Sequence, residues 1–465
     1  MYSIPQHIDN NKIFIVQRSE IEERFDPKMA LYNRKVRHSL YPKSRLKDIL
    51  TCKPQYGAGE PGVERQSEFE TRYIRITDID EYGLISQEVL GATANNIEEK
   101  YILNENDLLI ARSGATVGKA YIHKSTPYDC FFAGYLIRFV VNRNKALPDY
   151  VFSYTQLNAY KEWVNAIQRP SGQPNINSEE YQSLEIPLPD MVKQQEIVDF
   201  INSAYLQKRQ KDSDARNLLE SIDEYLLEEL EITLPKVETN LSNRIFFINR
   251  EKLENRLDPT VYRDGIKLKS NKYDNVKISN IVLINPSSSF QRKDNCLPIS
   301  FISMEMVDEI FSEVTSVGET TVGRSSSFTK FIEGDLLWAK ITPCMQNGKS
   351  AIARNLLNGL GCGSTEFYVL RPKDNRLSID YLHVILHMKC VRETAMLYFG
   401  GSAGQQRVPK SFLENFSVPF PPLTKQQEIA NHVSAIRQQA KRLQEEGKAI
   451  LENAKKDVER MIIGE

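Results

Sequence analysis

Cysteine is sparse in this chain and dispersed. The six residues, Cys52, Cys130, Cys296, Cys344, Cys362 and Cys390, are scattered along 465 positions without a Cys-x-x-Cys pair. That spacing argues against a disulfide framework, and reduced thiols in a cytoplasmic protein are expected. Long hydrophobic runs are also missing. Without a stretch of about 18 apolar residues, no membrane span is expected. The opening Met-Tyr-Ser-Ile-Pro-Gln-His lacks the basic-then-apolar pattern of a secretory signal. An excess of one charge is missing too, since the formal net charge is −1. By region the balance differs: residues 193–235 carry 5 basic and 10 acidic side chains, whereas 236–424 carry 24 and 19. A neutral average therefore leaves room for the local basic patches that nucleic acid requires.

Familiar catalytic motifs are missing as well. An amino-methyltransferase needs an Asn/Asp-Pro-Pro-aromatic loop, but Asn285-Pro286 continues into Ser287. Ser113-Gly-Ala-Thr-Val-Gly-Lys119 looks like a phosphate loop. It is one residue short of G-x-x-x-x-G-K, and Ala120 stands where Ser or Thr would hold magnesium. Asn347-Gly-Lys-Ser350 supplies the serine, with Pro343 where the first glycine belongs.

What is present is a sequence written twice. Glu-x-Arg-x-Asp-Pro ends at Pro27 and again at Pro259, so that Asp26 and Asp258 are 232 residues apart. Lys193-Gln-Gln-Glu-Ile197 and Lys425-Gln-Gln-Glu-Ile429 keep the same offset of 232. Between these anchors Asn106-Asp-Leu-Leu-Ile-Ala-Arg112 answers Gly334-Asp-Leu-Leu-Trp-Ala-Lys340, and Tyr135-Leu-Ile-Arg138 answers Tyr368-Val-Leu-Arg371. A Gly-Lys pair follows the first of these in each copy, and a glycine loop comes later, at 170–175 and 400–407. Short β-branched and aromatic runs bounded by Gly, Pro and Asp predict mixed α/β modules with small sheets.

Each copy closes on a helix announced by prolines. The spacing of four and three runs through Ile197, Ile201, Ala204, Lys208, Lys211, Ala215, Leu218, Ile222 and Tyr225. In copy two it runs through Ile429, Val433, Ile436, Ala440, Leu443, Gly447, Ile450 and Ala454. An average of 3.5 residues is a coiled-coil seam. With two lysines and a glycine on the seams, each helix needs a partner, and the other copy's helix is the nearest one. Residues 193–231 and 425–460 are expected as antiparallel helices related by a pseudo-twofold axis. Forty residues would span about 60 Å, the length of a spacer.

In this organisation the chain resembles the specificity subunit of type I restriction-modification systems. The resemblance rests on Arg24-Phe-Asp-Pro27 and Arg256-Leu-Asp-Pro259, on Asp107–Gly114 and Asp335–Thr342, and above all on Pro187–Ile197 and Pro419–Ile429. It implies an α/β (α+β) fold with two target-recognition domains joined by two long antiparallel helices. Its segments would be 1–190 for the first domain, 191–235 for a spacer helix, 236–422 for the second domain and 423–465 for the second helix. It further implies a non-catalytic, cytoplasmic chain that reads a bipartite target in double-stranded DNA. Two methyltransferase subunits and restriction-translocase subunits would be its partners, with S-adenosylmethionine, ATP and magnesium bound by them and no cofactor in this chain. A stand-alone DNA-binding regulator and a coiled-coil adaptor remain alternatives at this point.

The residues placed to touch DNA are Arg112, Ser113 and Lys119 with Gln173 and Asn175 in copy one. In copy two they are Lys340, Thr342 and Lys349 with Gln405, Gln406 and Arg407. Arg and Lys suit guanine edges and phosphates, and Asn and Gln suit adenine edges. The plainer reading is of solvated turns. Arg34-Lys-Val-Arg37 with Lys43, Arg45 and Lys47 is a further basic run, phosphate-facing or merely solvated. His383, His387 and Cys390 share metal-ligand spacing, but Phe152, Gln156 and Ala159 answer them in copy one, so a partly buried helix face is expected and no metal. Asp26 and Asp258, each in an Asp-Pro that follows an arginine, are expected in a structural role, as a turn or helix cap with an ion pair.

Overall fold

Leu108-Leu-Ile-Ala111 and Leu336-Leu-Trp-Ala339 are buried at every position, as befits strands covered on both faces. Around each of them the computed structural model builds the same framework. It describes residues 15, 27–35, 39–85, 90–168, 174–234, 247–249, 258–287, 294–401 and 405–464. Asp26, Gln173, Val36, Arg37 and much of the two Glu-x-Arg-x-Asp-Pro segments lie outside these residues. The chain divides into two compact units, one of residues 1–210 with 446–465 and one of 211–445.

In the first unit one four-stranded sheet has the order Gln55–Tyr56, Leu136–Phe139, Leu108–Ala111, Ala120–Ile122. The second unit repeats it as Val282–Ile284, Phe367–Pro372, Leu336–Ala339, Ser350–Ile352. A second sheet in each unit is built on a parallel pair. Arg72–Ile74 runs beside Cys130–Phe132 in one, and Pro298–Ile302 beside Leu360–Gly363 in the other. The copies differ at the edges of this sheet. The first adds Val63–Glu64 outside Ala92–Thr93, and the second adds Thr329–Ile332 outside Leu360–Gly363.

Strand register corrects one part of the sequence match. Ala111 pairs with Leu136 and Ala339 with Phe367, so Glu366 and not Tyr368 stands where Tyr135 stands. A slip of two residues keeps every side chain on its face, which is why it escapes pattern matching. Both arginines still reach the equivalent buried aspartate. Arg138 Nη1 lies 3.4 Å from Asp107, and Arg371 holds Asp335 through Nε and Nη2 at 2.7 Å each.

The long helices are Met191–Glu229 and Leu423–Ile463, continuous through Lys208 and Lys211. In the first unit Ile197, Ile201 and Ala204 share a core with Leu451, Ala454 and Val458. In the second unit Glu229 meets Lys425 at 2.7 Å and the Tyr225 ring lies 4.3 Å from His432, which makes the pairing antiparallel. Ile222, Ile429 and Val433 are buried there, while Leu218, Ile436, Leu443 and Ile450 are half-buried. Toward the C-terminal ends the buried stripe departs from the 3.5 spacing, passing to Leu226 and then Leu230, just past the end of one helix, and to Leu451, Val458 and Ile462 in the other. A straight helix turns every 3.6 residues, so a seam drifts by about 20° per heptad. The drift carries these side chains into the globular cores.

Candidate nucleic-acid interface

The two loops proposed for each module meet at the end of its central strand. Arg112 N–H donates to the Tyr135 carbonyl at 2.9 Å, and its own carbonyl accepts from Ile176 N–H at 2.9 Å. Gly114 N–H donates to the Pro174 carbonyl at 3.0 Å, and Ser113 bridges to Asn175. In the second module Lys340 N–H donates to the Glu366 carbonyl at 3.0 Å and accepts from Val408 N–H at 2.9 Å. Thr342 N–H donates to the Gln406 carbonyl at 3.0 Å, and Ile341 bridges to Arg407. Arg112, Ser113 and Asn175 thus share one edge, and Lys340, Thr342, Gln405, Gln406 and Arg407 share the equivalent edge.

Each edge sets a cation over an aromatic ring that sequence reasoning did not find. Arg112 lies 4.9 Å from the Tyr56 ring centre and Lys340 lies 5.3 Å from that of Tyr368. The Tyr135 side chain stands beside Arg112 in the chain pairing and is 66% exposed. Arg407 is held by Glu366 through Nε and Nη2 at 2.8 Å each, with Nη1 donating to the Gln405 carbonyl at 3.0 Å. That fork, with Lys340 nearby, holds the Glu366 carboxyl below the usual range.

Lys119 and Lys349 do different work. The Lys119 ammonium donates to the Ile79 carbonyl, and that of Lys349 to the Met304 carbonyl at 3.3 Å. Each ties its Gly-Lys turn to a neighbouring 3-10 turn, Ile76–Asp78 or Met304–Met306. Thr342 turns its hydroxyl oxygen into the protein, where it is buried without a partner among the described residues. In the basic run Lys43 is 3.8 Å from Glu185, and Arg45 and Lys47 are exposed.

The other chemistry-bearing residues find structural neighbours. Asp258 caps the helix Pro259–Asp264, accepting from Thr260 N–H at 3.1 Å. His383 is buried 3.0 Å from the Ser350 hydroxyl, and His387 lies 3.4 Å from the Glu309 carbonyl. Burial, then the Arg437 charge, lowers the pKa of both imidazoles, and burial pushes the Cys390 thiol up to about 11. Among the described residues no helix is long and apolar enough to cross a membrane.

Two stretches, 44–211 and 271–453, match the family model described as the type I restriction modification DNA specificity domain. Each takes in one globular module and part of one long helix, and together they cover well over half of the chain. The chain belongs to that family. Among its relatives are the specificity subunits of two type I restriction enzymes of Escherichia coli. The EcoEI subunit is 37% identical over 168 residues, covering 35% of this chain and 27% of that one. The EcoAI subunit is 36% identical over 157 residues, covering 33% and 26%. The match spans about a quarter of the length of these relatives. A solved structure concerned with complex assembly and conformational transition of the type I R-M system contains a chain with the same fold. It is 15% identical with a TM-score of 0.50, covering 90% of this chain and 97% of that one.

Proposed function

We propose that this chain is the specificity subunit of a type I restriction-modification complex, reading one half of a bipartite DNA target with each module. The observation that carries the proposal is the repeated edge. Two loops are laced at the same strand end in both modules, each with a cation set over an aromatic ring. Side chains of Arg, Lys, Asn and Gln on such an edge carry the donors and acceptors that base edges and phosphates need. Residues 1–190 and 236–422 would be the recognition domains, and 191–235 and 423–465 the spacer helices that set the unread gap and dock partners.

In this reading the chain performs no chemistry. Methyl transfer with S-adenosylmethionine belongs to two methyltransferase subunits, and ATP- and magnesium-dependent translocation and cleavage belong to the restriction subunits. The complex would work in the cytoplasm, where its DNA is. Mapping methylated bases in cells that express the chain with a cognate methyltransferase subunit tests the proposal. A split motif with a fixed gap is expected. A contiguous motif, or methyl transfer by the purified chain alone, would contradict it.

A further inference from the structure

We propose that a cleft in the second module holds a phosphate of the DNA backbone between Lys330 and Lys340, a proposal that rests on the DNA-recognition reading above. The cleft has a volume of about 420 Å³. Lys330 reaches it from the strand Thr329–Ile332 of one sheet, and Lys340 from the end of Leu336–Ala339 in the other. Ser326, Thr329 and Thr365, which carry hydroxyl groups, also line it. Asn285, at a left-handed φ of 53°, donates its N–H to the Val369 carbonyl at 2.7 Å and accepts from Val369 N–H through Oδ1 at 3.0 Å. Its amide oxygen is thereby turned to the sheet, and the other polar atom of the amide, Nδ2, is a donor. Among the described residues no aspartate or glutamate lines the cleft. Two lysines with neutral hydroxyl- and amide-bearing residues, and no carboxylate among the described lining residues, match the oxygens of an anion.

Position selects the anion. Lys340 is hydrogen-bonded through its backbone to Val408, next to Arg407 on the proposed reading edge. A strand whose bases face that edge would carry its phosphodiesters past the cleft, and lysine serves phosphate as a compact point charge. The strand that bears Lys330 is the one the second module adds at this edge. Among the described residues of the first module that place has only an isolated bridge between Ile102 and Phe131. The contact is therefore assigned to the second half-site alone.

Binding of the full chain to its duplex target, measured by fluorescence anisotropy across a salt series, tests the cleft. Lys330→Gln should reduce the slope of log K against log salt by about one and leave base preference unchanged. A neutral methylphosphonate, moved one phosphate at a time through the second half-site, should find a position where wild-type affinity falls and Lys330→Gln costs nothing further. The wild-type scan stands even if the variant fails to fold. Target binding that no single methylphosphonate weakens, or to which Lys330→Gln adds the same loss at every position, overturns the subsite but not the recognition reading. Wild-type chain without salt-dependent preference for its target overturns both. Lys330-dependent binding of ATP or inorganic phosphate without DNA would give the cleft to a free phosphate and overturn the DNA assignment.

Discussion

Gln426 accepts a hydrogen bond from the Ser378 N–H at 2.8 Å and donates one to the Pro421 carbonyl at 2.8 Å. Gln194 makes the same pair, with Leu147 N–H at 2.9 Å and the Pro189 carbonyl at 2.9 Å. Both amides are buried, and each pins the first turn of a long helix to the start of a shorter one, Ile379–His387 or Pro148–Thr155. This explains why Lys-Gln-Gln-Glu-Ile is the most legible motif of the repeat. Gln426→Ala should destabilise the second unit by about 1–3 kcal/mol, because two buried groups lose their partner. Gln427→Ala, at an exposed position, should change stability by less than about 0.5 kcal/mol. The two tryptophans lie one in each unit, so Trp338 fluorescence in a Trp163→Phe background reads the second unit in urea. Equal effects of the two glutamine changes would refute the pinning role.

The buried His383 makes a pH prediction. Burial first, then the charges of Arg437 and His387, hold its imidazole well below the ordinary value of 6.5. Over that interval the unfolded chain carries a proton that the folded one refuses. Stability therefore rises with pH through the interval and is lost as pH falls below 6.5, by up to about 1.4 kcal/mol per pH unit for one proton. Phe152 occupies the same place in the first module, since Tyr150 and Tyr381 bond the equivalent carbonyls of Pro187 and Pro419. His383→Phe should lessen the fall of the Trp338-reported stability between neutral and mildly acid pH, leaving the part that the buried His387 contributes. An unchanged pH slope would assign the acid sensitivity elsewhere.

The fork between Arg407 and Glu366 predicts a change confined to half of the target. Glu366→Ala removes the carboxylate that orients the guanidinium, so discrimination at one base pair should fall by about 1–3 kcal/mol. Competition between duplexes altered in one half or the other measures it. Loss of preference in the half read by Arg112 would contradict the assignment.

Helix length predicts spacing. Lengthening the 193–231 segment by one turn, about 5.4 Å, should change the unread gap by roughly one to two base pairs at 3.4 Å each. Both half-sites should keep their letters in the methylated motif. An insertion that alters letters and leaves the gap unchanged would rule out the spacer role.

The repeat and the two helices were legible because an offset of 232 and a seam spacing survive in sequence. The edges were legible only in part. Arg112 and Lys340 stand out as cations ending apolar strands, but Tyr56 and Tyr368 come from other strands and meet them only through sheet pairing. Lys119 and Lys349 looked like loop cations, yet their long side chains reach backbone carbonyls in another turn. The match of Tyr135 to Tyr368 failed because alternation has a period of two and cannot register a slip of two.

Modular reading is the central claim, and a segment exchange tests it most directly. Residues 240–418 are replaced by the corresponding segment of a relative with a different target, and the methylated motif is mapped in cells that also express the methyltransferase subunit. Base edges are read locally by a few side chains, whereas the helices set spacing and docking. One half of the motif should change, with the other half and the methyltransferase partner retained. A chimera that rewrites both halves would contradict it.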